Sequence, residues 1–228
     1  MMEPSVFESF EDFRELDGED REALAQRMRR TTFGKGDALV RLLEPVQRIQ
    51  VVLEGLAGLE TVSVNGIRRV IWVFRPGDLI GSRAFLDESA NDSEVKALTD
   101  GEVAVVSASE FERLSQQRPG LGLLVTRILT ERFQGMSRKL LAATTLDVDM
   151  RLAKLLYEFM DGNASANGNP SANGGPPEES EDGFRPLAYP LTHETMAEIV
   201  GASRPHISAT IGELEERGML RRGRGGKL

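Results

Sequence analysis

Side chains suited to bind a polyanion are concentrated near the end of the chain, within residues 191–228. Arginine donates to phosphate oxygens and to the edge of guanine, and the methyl group of alanine can contact the methyl group of thymine. The candidate contacts are Thr192, Ser203, Arg204, Pro205, His206, Ser208, Ala209, Arg221, Arg222 and Arg224. These residue types predict contact with DNA if one structural element presents them together.

Two short helices joined by a tight turn are predicted to position these residues. Thr192 and Ser203 are each placed to cap a helix N-terminus, and Gly201 is placed to end the first helix in a left-handed conformation. The apolar residues at helical spacing are Met196, Ile199 and Val200, then Ile207, Ile211 and Leu214. The pattern is typical of a helix-turn-helix, in which the second helix enters the major groove N-terminus first.

The segment after Gly218 separates this interpretation from its alternative, an αα-hairpin that binds no DNA. Met219 and Leu220 are followed by RRGRGGK, which predicts a strand, a glycine turn and the start of a second strand. A basic wing of this kind contacts phosphates. The sequence therefore favours a winged helix-turn-helix.

Several motifs carry a resemblance to one family. They are LTHETMAEIVGASRPHIS at 191–208, Gly55 within VVLEG, Gly66, FRPGDLIGSRAFL at 74–86, and LDV at 146–148 followed by RLAKLL. The chain resembles the cyclic-AMP receptor protein and fumarate-nitrate regulator (CRP/FNR) superfamily over nearly its whole length. The resemblance implies an α+β protein: a cyclic-nucleotide-binding-like β-roll or barrel at 1–118, a dimerisation helix at 119–146 and a winged helix-turn-helix at 147–228. It also implies a homodimer that binds a palindromic DNA operator and works with RNA polymerase.

The periodicity of the chain agrees with this organisation. Residues 7–30 predict short amphipathic helices, and residues 31–107 predict an antiparallel roll. The strand-like runs are ALVRLL, RIQVVLEG, LAGLETVSV, RRVIWVF, EVKALT and EVAVVS. The segment 162–183, rich in Gly, Asn, Ser and Pro, predicts a disordered loop inside the DNA-binding domain.

A long helix is predicted from about Pro119 to about Thr145. Its coiled-coil spacing is carried by Thr126, Leu129, Phe133, Met136, Leu140 and Ala143, of which Leu129, Phe133, Met136 and Leu140 are the predicted dimerisation residues. The alternative is that this stripe packs on the barrel of its own chain. In a dimer, two helix-turn-helix units would reach half-sites roughly 34 Å apart.

The predicted effector pocket departs from the family pattern. Its candidate residues are Gly81, Ser82, Arg83, Asp92, Ser93, Met136 and Ser137. In cyclic-AMP-binding members a Glu binds the ribose and an Arg-Ser or Arg-Thr pair binds the phosphate; here Ser82 stands for the Glu and Asp92-Ser93 for the pair. Because Asp92 has the same charge sign as a phosphate, we expect no cyclic-AMP binding in the usual mode. The alternatives are an effector-independent regulator, a sensor of a non-nucleotide metabolite, and a ligand-binding scaffold with a degenerate helix-turn-helix.

The DNA-reading helix also departs from the members that bind TGTGA-type half-sites. Arg204 is retained, but Pro205 replaces a Glu and Ala209 replaces a second Arg. Arg204 can still bind a guanine, which is worth roughly 1–3 kcal/mol of discrimination. We therefore expect a different operator sequence.

Composition limits the remaining functions. The 228-residue chain has no Cys and only two His, so an iron-sulfur cluster, a thiolate-bound haem and a disulfide switch are excluded, and no metal or other cofactor is expected. The net charge is −8, but the part from Gly183 onward carries seven Arg and Lys against five Glu. Without a membrane-length apolar run, a phosphate loop or a serine elbow, we expect a cytoplasmic protein that is not an enzyme.

Overall fold

The computed structural model describes residues 2–85, 93–160, 184, 187–189 and 191–221. It divides into two compact units. One comprises Met1–Thr61 and Ile71–Gln134, and the other comprises Val62–Val70 and Gly135–Leu228.

The first unit begins with three short helices, α1 (Ser5–Glu8), α2 (Glu11–Arg14) and α3 (Gly18–Arg27). The side chain of Asp17 caps α3 by accepting a hydrogen bond from the amide of Asp20 at 2.7 Å. The rings of Phe7 and Phe13 stack with their centroids 5.0 Å apart. These aromatic residues lie in the core of the unit, as the predicted amphipathic helices require.

Eight strands follow along the chain within the described residues. They are β1 (Arg29–Phe33), β2 (Ala38–Val40), β3 (Arg48–Glu54), β4 (Ala57–Val62), β5 (Arg68–Phe74), β6 (Leu79–Ile80), β7 (Glu94–Ala97) and β8 (Gly101–Ser107). One sheet has the order β1-β8-β3-β6 and the other the order β2-β7-β4-β5. Antiparallel register places Val51 opposite Ala104 and Leu59 opposite Val95. The predicted antiparallel β-roll is confirmed.

Two glycines allow the chain to turn closely against neighbouring backbone. Gly55 ends β3 with a φ of 83°, and Gly81 follows β6 with a φ of 97°. A Cβ at Gly55 would collide with the carbonyl oxygen of Asp100, and one at Gly81 with that of Arg48. Larger residues are therefore excluded at both positions for steric as well as conformational reasons. A single-turn 3₁₀ helix, Ser82–Phe85, follows directly.

The remaining elements of the part of the chain that the structure describes are helical. They are α4 (Ala108–Gln117), α5 (Pro119–Thr145), α6 (Val148–Met160), α7 (His193–Val200) and α8 (Arg204–Glu216). The predicted long helix is confirmed as α5, which runs from the first unit into the second. Its first half buries Leu121, Leu124 and Ile128 in the core of the first unit.

Strand β1 corrects the sequence prediction, which placed residues 29 and 30 in a helix. Helix α3 ends at Arg27 because Met28 adopts an extended conformation. The next residues pair with β8, from Arg29 opposite Val105 to Phe33 opposite Gly101. The pairing outweighs the helical pattern because β8 offers an open edge to this segment.

The predicted wing is only partly within the described residues. The amides of Met219 and Leu220 donate to the carbonyl oxygen of Leu214, at 2.9 and 3.2 Å. They therefore close the end of α8, and residues 219–221 are not in a strand in the described part of the chain. Arg222, Arg224 and the predicted loop at 162–183 lie outside the described residues.

Candidate functional sites

The helix pair α7 and α8 has the local geometry predicted for a helix-turn-helix. Thr192 caps α7 by accepting from the amide of Thr195 at 3.1 Å, and Ser203 caps α8 by accepting from the amide of His206 at 3.3 Å. Gly201 ends α7 with a φ of 80°. The two helices pack through buried side chains of Met196, Ile199, Val200, Ile207 and Ile211.

The predicted DNA contacts lie on the exposed side of this pair. The exposed residues are Thr192, Ser203, Arg204, Pro205, His206, Ser208 and Ala209. Arg221 is exposed too, with its guanidinium carbon 4.6 Å from the centroid of the Phe184 ring. Because Pro205 occupies the first turn of α8, it removes no helical hydrogen bond. Beside the N-terminus of α8, this face therefore offers the guanidinium of Arg204, the imidazole of His206 and the hydroxyl groups of Ser203 and Ser208.

Three polar contacts of the α7–α8 pair were not predicted from the sequence. His206 Nε2 lies 3.1 Å from Asp149 Oδ1, and the Thr210 hydroxyl donates to the same oxygen at 2.8 Å. His193 Nδ1 lies 2.9 Å from Ser208 Oγ. No local pattern could reveal the contact to Asp149, because 57 residues separate it from His206.

The junction between α5 and α6 is attached to the helix pair. The Asp147 carboxylate caps α6 by accepting from the amide of Met150 at 2.8 Å. The Arg151 guanidinium donates to the carbonyl oxygens of Leu146, at 2.8 Å, and Val200, at 3.1 Å. One side chain thus connects the end of the long helix with the end of α7.

The first unit carries a largely buried arginine on α5. The Arg132 guanidinium donates to the Leu79 carbonyl oxygen at 2.6 Å and lies 3.5 Å from Ser82 Oγ. Its carbon is 5.0 Å from the centroid of the Phe74 ring and 5.9 Å from that of Trp72. Burial lowers the pKa of Arg132, against the opposing effect of nearby carboxylates. A protein-supplied cation therefore lies against the aromatic residues of β5.

Carboxyl groups surround this arginine. Burial raises the pKa of Asp78, although Arg132 and the Arg75 backbone amide oppose the rise. Burial, followed by the negative charge of Glu131, raises the pKa of Asp12 to about 7. The pKa of Glu131 itself is raised, first by burial. These groups lie around α2, the β5–β6 turn and α5.

The predicted effector residues are divided between the two units. Gly81, Ser82, Arg83 and Ser93 belong to the first unit, and Met136 and Ser137 to the second. Asp92 lies outside the described residues.

Sequence reasoning missed Arg132 and Trp72. A signal existed for the arginine, because Arg132 falls four residues after Ile128 on the buried side of α5. Trp72 Nε1 is buried and has no hydrogen-bond partner in the described residues.

The predicted dimerisation residues form an exposed stripe along α5. The exposed fractions are 40% for Leu129, 73% for Phe133 and 68% for Leu140, and Met136 between them is half-buried. The stripe faces solvent in the isolated chain, whereas Leu121, Leu124 and Ile128 supply the buried side.

The described residues contain no group of three or more His, Asp or Glu side chains placed to hold a metal ion. No helix among them is both long and apolar enough to cross a membrane.

Two family models match different parts of the chain. The cyclic nucleotide-binding domain matches residues 30–118, and the Crp-like helix-turn-helix domain matches residues 150–228. The first range covers the strands of the first unit, and the second covers α7 and α8.

Relatives of known function match over most of their length. The CRP-like cAMP-activated global transcriptional regulator of Mycobacterium tuberculosis is 21% identical over 87% of this chain and 83% of its own. The global nitrogen regulator of Synechocystis is 23% identical over 83% and 79%.

Solved structures share the fold. The c-di-GMP-responsive global regulator CLP of Xanthomonas campestris has a TM-score of 0.73 and 19% identity, over 92% of this chain and 97% of its own. FixK2 of Bradyrhizobium japonicum has a TM-score of 0.69 and 16% identity, over 88% and 90%.

Proposed function

Because the chain belongs to the CRP/FNR family of DNA-binding transcription regulators, we propose that it binds a two-fold symmetric operator as a homodimer and needs no cyclic AMP to do so. The observation that carries the proposal is the capped α7–α8 pair, which leaves Arg204 exposed in the first turn of α8. An arginine at that position reaches a guanine edge in the major groove. In this proposal the bound dimer acts on transcription through RNA polymerase.

Selection from randomised duplex DNA tests the DNA-binding part. The effector-free protein should enrich a two-fold symmetric motif that differs from TGTGA-type half-sites. The Arg204→Ala variant should lose the motif, since it removes the guanine contact. Arg217→Ala is the matched control, because Arg217 is exposed at the opposite end of α8. Enrichment by Arg204→Ala equal to that of the parent protein would contradict the assignment.

The homodimer part of the proposal is supported by the exposed stripe on α5. Leu129, Phe133 and Leu140 follow a spacing of four and seven residues, which is that of a coiled-coil seam. A Phe133→Glu substitution would place a charge in each half of such a seam and should convert the dimer into a monomer. Leu43→Glu is the matched control, because Leu43 is 72% exposed and Phe133 is 73% exposed. Sedimentation equilibrium distinguishes the two states; a dimer that survives Phe133→Glu would overturn this interface.

Independence from cyclic AMP is supported by the interior of the first unit. Arg132 already lies against Trp72 and Phe74 and donates to the Leu79 carbonyl oxygen. The positions beside the β5 aromatic residues are therefore occupied by a side chain of the protein itself. The proposal predicts no thermal shift with cyclic AMP and none with c-di-GMP, which the Xanthomonas campestris relative senses. A saturable shift with either nucleotide would contradict it.

The alternative to an effector-independent regulator is one that senses a small anionic metabolite. The buried Trp72 Nε1 donor without a hydrogen-bond partner in the described residues favours it, together with the cation of Arg132. Thermal-shift measurements with simple mono- and dicarboxylates test this alternative. A shift that Trp72→Phe abolishes would support it, and the absence of any shift would favour the effector-independent regulator.

A further inference from the structure

The acidic residue Asp149 lies beside the DNA-reading helix but is not needed to cap its own helix. Asp147 already provides the cap of α6 by accepting from the amide of Met150. Asp149 instead accepts from the Thr210 hydroxyl at 2.8 Å and lies 3.1 Å from His206 Nε2. Both partners belong to α8, so the Asp149 carboxylate is fixed against that helix.

The location of the His206–Asp149 pair matters for DNA binding. His206 is the third residue of α8, and Arg204 of the proposed guanine contact begins the same helix. Both members of the pair are solvent-accessible, with side-chain exposures of 48% for His206 and 59% for Asp149. The N-terminal end of a recognition helix approaches the bases and the adjoining phosphates. A fixed carboxylate there would repel the phosphates unless a cation neutralises it.

His206 is placed to supply that neutralisation. The hydrogen bonds from Thr210 and then from His206 lower the pKa of Asp149, so this carboxylate stays ionised at neutral pH. Histidine is the side chain whose charge ordinarily changes between about pH 5 and 8. The pair is therefore neutral when the imidazole is protonated and carries one negative charge when it is not.

We propose that the His206–Asp149 pair makes operator binding proton-linked, with DNA bound more tightly when the imidazole is protonated. The inference rests on the proposed DNA-binding function of α8. Binding beside phosphates favours the neutral pair over the anionic one, so each subunit takes up a proton as it binds. Affinity then falls as the imidazole loses its proton.

Other charged groups near His206 do not account for a pH dependence of DNA binding. The second histidine, His193, is tested with a control variant. Arg204 on α8 and Arg151 on α6 keep their charge throughout this range, as arginines do. Asp147 is held as the cap of α6. The other histidine, His193 on α7, bonds through its ring to Ser208. A His193→Gln variant therefore serves as the matched control for His206→Gln.

The test measures the affinity of the full-length protein for its selected operator at about pH 6 and about pH 8, at constant ionic strength. We expect the parent dissociation constant to rise about 10-fold or more, since linked uptake of one proton changes affinity by up to about one decade per pH unit. His206→Gln should show a flat profile, and Asp149→Asn should bind more tightly than the parent protein at about pH 8, because it removes the negative charge beside the phosphates. His193→Gln should keep the parent profile.

Each result has one meaning. A flat parent profile, or a slope that survives in His206→Gln, would overturn the proton linkage, while selective binding at about pH 6 would leave the DNA-binding function intact. Loss of the slope in His193→Gln alone would assign the proton to His193 and also overturn it. Absence of selective binding at either pH would overturn the proposed function itself. Unchanged circular dichroism of each variant shows that folding is preserved.

Discussion

The two units use arginine in opposite ways. Arg132 in the first unit is largely buried, donates to a backbone carbonyl and lies against two aromatic rings. Arg204 in the second unit is exposed in the first turn of α8. Burial makes the first arginine part of the folded core, where its removal leaves other groups uncompensated. Exposure makes the second available to a partner at little cost to the fold, so stability and DNA binding should respond separately to substitution.

Replacing the buried arginine should give the largest effect. Arg132→Ala leaves the Asp78 carboxyl largely buried without its cation, so we expect a loss of about 3–5 kcal/mol in the free energy of unfolding. Arg127→Ala is the control: Arg127 pairs with Glu15 near the surface and should change stability by less than about 1 kcal/mol. Denaturant unfolding of both variants provides the comparison. Equal losses in the free energy of unfolding would show that the burial of Arg132 does not make it more important for stability than Arg127.

A backbone test comes next in size. Gly55→Ala places a Cβ against the Asp100 carbonyl oxygen at a φ of 83°, so we expect a loss of about 2–4 kcal/mol. Gly66→Ala, with a φ of 75° and open space around the added Cβ, should lose only about 1 kcal/mol. The difference in stability between the two variants measures the contribution of the steric collision alone. Similar losses in thermal unfolding would mean that the chain at Gly55 relaxes freely.

The raised pKa of Asp12 predicts a pH effect on the first unit. The folded pKa of about 7 exceeds the ordinary 3.8, so the folded state favours the protonated form. Stability should fall as the pH rises from about 4 to about 7 and then level off. Asp12→Asn should reduce this decline, since the raised pKa values of Asp78 and Glu131 still contribute to it. It should be more stable than the parent by about 1–2 kcal/mol at about pH 8, after allowance for solvent screening.

Measuring the stability of Asp12→Asn and of the parent protein at about pH 4 and about pH 8 tests this prediction. Asp12→Asn and the parent should be nearly equal at the lower pH. The exposed Glu22 provides the control substitution, Glu22→Gln, which should follow the parent at both values. A stabilisation by Asp12→Asn that is independent of pH would contradict the assignment of the carboxyl group.

The smallest expected effect concerns the cap of α8. Ser203→Ala removes the side-chain acceptor for the His206 amide and should cost about 1 kcal/mol of stability. Ser203→Asp should keep the cap, because aspartate is an equally good acceptor, but should weaken DNA binding by adding a negative charge. Unfolding and DNA-binding measurements on both variants separate the two roles. Parallel losses of stability and affinity in Ser203→Asp would show that they are not separable.

The features that sequence predicted best depend on local interactions. Thr192, Ser203 and Gly201 determine the ends of α7 and α8 through contacts within a few residues. The long helix was also predicted, because its apolar spacing continues over its whole length. Strand β1 was missed because its pairing partner β8 lies far along the chain.

The candidate sites show the same limit. The exposed position of Arg204 follows from its place on an amphipathic helix, so the sequence alone predicted it. The contact between His206 and Asp149 joins residues 57 positions apart, and that between Arg132 and Leu79 joins residues 53 apart. Contacts of this kind depend on how helices and strands pack, which no spacing pattern in a single sequence specifies.

The most direct test of the account is the affinity of the effector-free protein for three duplexes: the selected symmetric operator, a single half-site, and an operator with its half-sites moved apart by about half a DNA turn. The account predicts tight binding to the symmetric operator alone, because both α8 helices must reach half-sites about 34 Å apart on one face of the duplex. Equal affinity for all three duplexes, without added ligand, would contradict it.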